Sequence, residues 1–151
     1  MREGVKLEAY ARGDEVEILK LLSEAGLPTE DLTLDKLKNF LVARREDGSV
    51  IGTIGVEAYQ DIGLLRSLVI DPSYRGKGLG KQLVDELQSF AQGKRIKSLY
   101  LLTTDAADFF KKLGYEVIQR TLVPVPLTET EEFKNICPVS ATCLFKNLQS
   151  S

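Results

Sequence analysis

The sequence predicts an α+β fold: a mixed sheet of about seven strands with helices on both faces. Three observations carry the prediction. The first half holds β-rich runs separated by tight-turn signals, as an antiparallel meander does. A glycine-rich turn then leads into a long amphipathic helix and another strand, as a βαβ crossover does. The whole is 151 residues, 43% hydrophobic and 28% charged, with no repeat or low-complexity stretch, so residues 1–151 read as one domain.

Taken in order, Val5 to Tyr10 alternates loosely and is expected as a first strand. Asp14, with Glu17 three residues on, resembles a capping box opening a helix with an Ile18, Leu22, Ala25 stripe, stopped at Gly26-Leu27-Pro28. A short helix over Leu34 to Lys38 follows. Phe40 to Arg44 and Val50 to Glu57 form strands around an Asp47-Gly48 hairpin signal. A turn at Asp61-Ile62-Gly63 precedes the strand Leu64 to Ile70. After Asp71-Pro72-Ser73-Tyr74 comes the glycine-rich turn, then a helix with Leu79, Leu83, Leu87 and Phe90 on one side, closed by Gly93. Ser98 to Leu102 is a fifth strand, parallel to its partner. Thr104 or Asp105 caps a short helix ending at Gly114, Tyr115 to Val123 is a sixth strand, Thr128 to Asn135 a helix, and Ser140 to Lys146 the last strand.

Composition removes whole classes of chemistry. With 20 Lys+Arg against 22 Asp+Glu, the chain lacks the positive excess of a nucleic-acid or polybasic membrane surface. The absence of histidine removes Ser-His-Asp triads, Cys-His pairs and His-ligated metals. Two cysteines, Cys137 and Cys143, make neither a disulfide framework nor a four-thiolate zinc site, and each is expected as a small buried apolar residue. No apolar run spans a membrane, and no signal core follows Met1, so a cytoplasmic protein with reduced thiols is expected, without metal, nucleic-acid or membrane partner. A homodimer is left open.

The chemistry concentrates at Arg75-Gly76-Lys77-Gly78-Leu79-Gly80-Lys81. Glycines let backbone approach an anion, and the unpaired N–H groups of a helix's first turn point at it. A Walker A loop fails, because Arg75 and Gln82 stand where glycine and Ser/Thr are needed. A dinucleotide fingerprint fails at Lys81.

Arg75-x-x-Gly78-x-Gly80 after Val69-Ile70-Asp71-Pro72 resembles the acetyl-CoA-binding segment of the GNAT N-acetyltransferase superfamily, and the element order resembles that family along nearly the whole chain. The resemblance implies that Arg75, Gly76, Lys77, Gly78, Leu79, Gly80 and Lys81 hold the pyrophosphate of acetyl-CoA. It implies that Leu68, Val69 and Ile70 pair their main chain with the pantetheine arm, since the family's fourth and fifth strands splay apart. A backbone N–H at Leu68 or Val69 would then meet the thioester oxygen, and an amine would attack the thioester directly. The family's tyrosine acid is replaced by Phe110, which can pack on the pantetheine but cannot donate a proton, and Leu65 stands where some relatives carry a glutamate. Glu57, expected at the end of the third strand, is the choice of base. Arg66, mid-strand among leucines, is expected to meet a carboxylate, that of a substrate or Glu57 or Asp61 of the protein, or else to reach solvent. Ser67 and Thr103 lie where an acceptor would be oriented.

Glu57-x-Tyr59, Leu64-Leu65-Arg66-Ser67-Leu68, Leu99 to Thr104, Phe109-Phe110 and the segment from Phe133 to Ala141 together resemble the small arsenic-resistance N-acetyltransferases of bacteria and archaea. That resemblance implies a small amine acceptor, amino-acid-like or organoarsenical. The alternatives are an acyl-CoA-binding domain without turnover, and an acetyltransferase for protein or peptide amines.

Overall fold

A computed structural model of the chain describes residues 4–130, 133–134 and 141–148. Its elements are β1 (Val5–Ala9), α1 (Glu15–Glu24), α2 (Leu34–Leu37), β2 (Phe40–Arg45), β3 (Val50–Tyr59), β4 (Ile62–Ile70), α3 (Leu79–Gly93), β5 (Ser98–Thr103), α4 (Ala107–Lys112), β6 (Glu116–Val117), α5 (Val125–Thr128) and β7 (Thr142–Asn147). The strands form one seven-stranded sheet in the order β1-β2-β3-β4-β5-β7-β6. It is mixed as expected: β1 and β3 run antiparallel to β2, β5 is parallel to β4, and β7 is antiparallel to β5 and β6. The chain divides into two compact units, Met1–Val56 with Ser67–Phe90, and Glu57–Arg66 with Ala91–Ser151.

In the first unit, the register pairs Phe40 with Gly55 and Val42 with Thr53, so these four share one face. On that face Ile18, Leu21 and Leu22 of α1 and Leu37 of α2 pack with Phe40, Val42, Val50 and Val69. Gly55 is required here, because a Cβ would stand 2.3 Å from the Phe40 ring. The other face carries α3, whose Leu83 lies, with Ile70, against Gly52. The helix start differs from expectation. Asp14 makes no side-chain cap; its carboxylate receives Arg44 at 2.7 Å and the Ala11 N–H, while Glu17 accepts the Val50 N–H. Both carboxylates are recruited by the sheet, where the capping box would have kept them local. Leu21 rather than Ala25 completes the buried stripe.

In the second unit, Leu64, Val123, Leu127, Phe133 and Cys143 form the core, flanked by Tyr59, Ile62, Tyr100, Leu102 and Ile118. Several expectations shift. The turn lies at Gln60 (φ 60) and Asp61, one step earlier than Asp61-Ile62-Gly63, and β3 therefore extends past Glu57 to Tyr59. α3 does end at Gly93 as expected, and the left-handed residue that turns the chain out is Arg95 (φ 66), with the Ile96 N–H closing onto the Ala91 carbonyl. The sixth strand is only Glu116–Val117, since the chain turns into a 3-10 helix at Arg120–Leu122. The following helix begins at Val125, with Pro126 in its first turn where proline's missing N–H is harmless. Most of the expected Thr128 to Asn135 helix beyond Thr130, and Ser140 of the last strand, lie outside the described residues, as does Cys137.

Candidate active site

The glycine-rich turn belongs to the first unit. Asp71 caps a 3-10 turn (Pro72–Tyr74) by accepting the Ser73 N–H at 2.9 Å, which directs the chain into Arg75 to Lys81. Gly76 (φ 78) and Gly78 (φ 80) take the left-handed backbone that side chains resist, and a Cβ at Gly76 would meet nothing within 4 Å. α3 then starts at Leu79, so the N–H groups of Leu79, Gly80 and Lys81 belong to its first turn and have no intrahelical acceptor. Arg75 folds its Nε toward the Ile70 carbonyl at 3.3 Å, Lys81 pairs with Asp85 at 3.0 Å, and Lys77 stands over the Tyr74 ring. An open, positively flanked helix N-terminus of this kind fits a pyrophosphate.

Within β4, the registered pairing with β5 joins Ile62, Gly63 and Leu64 to Ser98, Leu99 and Tyr100. Farther along the strand, Ser67 has φ 62, a left-handed conformation that a non-glycine residue adopts at a cost of about 1 kcal/mol or more. It reverses the pleat at the point where the chain passes to Leu68, Val69 and Ile70. Val69 is buried in the first unit's core, and Leu68 and Ile70 are half-buried.

Glu57 and Arg66 belong to the second unit. Glu57 is not a solvated strand-end carboxylate. It is buried in the interior of β3, and its Oε2 meets Arg66 Nη1 at 2.6 Å, with the two side chains 5% and 0% exposed. Of the partners left open for Arg66, the protein therefore supplies Glu57. The Tyr59 hydroxyl donates to the other oxygen, Glu57 Oε1. Tyr59 was given no role from sequence; the signal was its spacing, because residues two apart in a strand share a face. Asp61 is exposed, and its carbonyl accepts the Lys97 N–H.

Thr103 and Phe110 are also in this unit. The Thr103 hydroxyl oxygen accepts the N–H groups of Asp105 (3.4 Å) and Ala106 (3.0 Å), so it organises the start of α4 in place of the expected Thr104 or Asp105. Phe110 is buried and packs edge-on against Phe109 and Tyr115, with ring centroids 5.1 and 5.3 Å apart. Gly114 (φ 97) ends α4 as expected, and Lys146 donates to the Leu113 carbonyl at 2.8 Å, satisfying the helix end.

The mixed seven-stranded sheet with its helices is an α+β fold, and the glycine-rich turn at the start of α3 has backbone geometry that suits an anion. Residues 36–117, more than half of the chain, match the family described as Acetyltransferase (GNAT) domain, and the chain belongs to that family. It is 30% identical over 121 residues to an amino-acid acetyltransferase of Mycobacterium tuberculosis, covering 78% of this chain and 64% of that one. It is 28% identical over 109 residues to an amino-acid acetyltransferase of Pseudomonas aeruginosa, covering 69% of this chain but only 25% of the relative, so it spans about a quarter of that relative's length. The fold matches N-acetylglutamate synthase from Neisseria gonorrhoeae, solved with coenzyme A and N-acetyl-glutamate, at a TM-score of 0.84 and 19% identity over 99% of this chain and 36% of that one. It also matches a Mycobacterium tuberculosis protein solved in complex with CoA, at a TM-score of 0.80 and 20% identity over 95% of this chain and 99% of that one.

Proposed function

We propose that residues 1–151 work as a single acetyltransferase domain, moving the acetyl group of acetyl-CoA to the amine of a small amino-acid-like acceptor. The observation that carries the reading is the turn from Arg75 to Lys81, with Gly76 and Gly78 at positive φ, opening a fifteen-residue helix within a GNAT domain. The name amino-acid acetyltransferase, borne by relatives of 28–30% identity, supports the acceptor class. Organoarsenical amino acids are the subset to which the sequence resemblance points.

In this reading the amides of the turn hold the pyrophosphate, and the main chain of Leu68, Val69 and Ile70 pairs with the pantetheine. Phe110 contributes apolar surface beside it. The acceptor nitrogen attacks the thioester carbonyl carbon, the carbon–sulfur bond breaks, and coenzyme A leaves as the thiolate, since Phe110 has no proton to give. Glu57 takes the amine proton, with Arg66 and Tyr59 fixing its two oxygens. Arg66, 0% exposed and held by Glu57, acts on the acceptor only by positioning that carboxylate, and the acceptor's own contacts are assigned to Ser67 and Thr103. The protein is assigned to the cytoplasm, where acetyl-CoA is supplied; among the described residues no helix is long and apolar enough to cross a membrane.

The test is free-thiol release from acetyl-CoA across amino acids, their phosphonate and arsenical analogues, polyamines and a lysine peptide, with light scattering on the same samples to read any homodimer. Acetyl-CoA at a hundred times its Kd should stabilise the protein by about 2.7 kcal/mol, and Gly78→Val should abolish that shift while the domain stays folded. Binding without thiol release from any acceptor would establish a binding module. Turnover of the peptide alone would establish a protein acetyltransferase.

A further inference from the structure

Phe110 sits on a helix too short to fix its own position. α4 has six residues, and helices shorter than about 12–15 residues are marginal in water, so what grips its ends decides where it lies. At the start, the Thr103 hydroxyl oxygen accepts the N–H groups of Asp105 and Ala106. At the finish, Lys146 donates from Nζ to the Leu113 carbonyl at 2.8 Å. The same ammonium stands 5.5 Å from the centre of the Tyr115 ring, and that ring packs edge-on against Phe110.

Both contacts of Lys146 draw on its charge. The carbonyl end of a helix carries partial negative charge, and so does the face of an aromatic ring. Lys146 comes from β7, which lies between β5 and β6, and it is paired in register with Leu99. Interior strands of this kind are among the last parts of a fold to open, so the half-buried lysine reaches out from a firm support. Lys111 and Lys112, in the last turn of α4 itself, are exposed and travel with the helix, so they cannot anchor it.

We propose that Lys146 is a positioning residue for the pantetheine end of acetyl-CoA: by clamping Leu113 and Tyr115 it fixes α4, and with it the Phe110 ring. The inference rests on the acetyl-CoA reading above, in which Phe110 supplies apolar surface beside the pantetheine. The ammonium acts through that ring and touches no ligand.

Calorimetric titration of the full chain with CoA and with adenosine 3′,5′-bisphosphate, which has the nucleotide but no pantetheine, tests it. Lys146→Met keeps most of the aliphatic side chain and removes the charge. It should weaken CoA about fivefold, as coupling between packed neighbours allows, and leave the bisphosphate unchanged. A partly unfolded population would instead weaken both ligands alike. Lys146→Arg, which can still donate to a carbonyl and stack on a ring, should bind CoA within about twofold of the parent. Phe110→Ala should weaken CoA, and adding Lys146→Met to it should cost little more, because the two act in series. Lys112→Met, which removes an exposed cation from the same helix end, should leave CoA binding as it is. An equal loss for both ligands in Lys146→Met, the same loss of CoA in Lys146→Arg or Lys112→Met, or additive losses with Phe110→Ala overturns the inference alone. CoA affinity unmoved by Phe110→Ala overturns the role given to Phe110 and the inference with it. Binding of neither ligand by the parent overturns the acetyl-CoA reading itself.

Discussion

Replacing Arg66 by methionine removes one half of a buried ion pair and keeps the length of the side chain. Two unit charges 2.6 Å apart attract by about 6 kcal/mol at an effective dielectric of about 20, before desolvation is subtracted. What the substitution exposes is the other side of that balance. Glu57 remains 5% exposed without the guanidinium that met its Oε2, and stranding one partner of a buried pair costs about 3–5 kcal/mol. For a chain of this length each kcal/mol lowers the melting temperature by about 2–4 °C, so a loss of about 6–20 °C is expected. Adding Glu57→Gln to Arg66→Met should recover about half of the loss, because no uncompensated charge is left. Urea denaturation of the two single variants, the double variant and the parent closes the cycle. A cost below about 1 kcal/mol for Arg66→Met, or a coupling near zero, would show that the two side chains do not meet in the folded protein.

Two other predictions address the rest of the molecule. Burial works to raise the Asp14 pKa, but hydrogen bonds from Arg44 and the Ala11 N–H outweigh it and hold the carboxyl below its ordinary 3.8. The stability it contributes is thus fully present above pH 4 and lost as pH falls through the lower folded value, so Asp14→Asn should cost about 2 kcal/mol at pH 7 and progressively less in acid, as pH-dependent chemical denaturation will show. Burial pushes the Cys143 thiol up to about 11, leaving roughly a thousandth of it as thiolate at pH 8. In a Cys137→Ser background, a disulfide reagent should label the native protein at least about a hundredfold more slowly than the urea-denatured chain; comparable rates would mean that Cys143 is open to solvent.

The element order was legible in the sequence, because many turns and helix stops are a local matter. Asp47-Gly48 turns a hairpin, Gly114 ends a helix, and Gly76 and Gly78 supply the left-handed backbone of the turn before α3, all through φ preferences of single residues. The α+β class followed from a meander succeeded by a crossover. The tertiary structure decided the partners. Asp14 and Glu17 looked like a local cap, yet Arg44 and Val50, some thirty residues away, provide stronger answers to their charge. Glu57 was expected at the end of the third strand, but the two-residue turn at Gln60-Asp61 lets β3 run on to Tyr59, and the carboxylate lies inside the strand against Arg66. Tyr115 to Val123 had strand propensity throughout, but only Glu116 and Val117 find partners on β7 before the chain turns. In each case the side chain's nearest neighbours come from register and packing, which act across tens of residues and leave no trace in a local window.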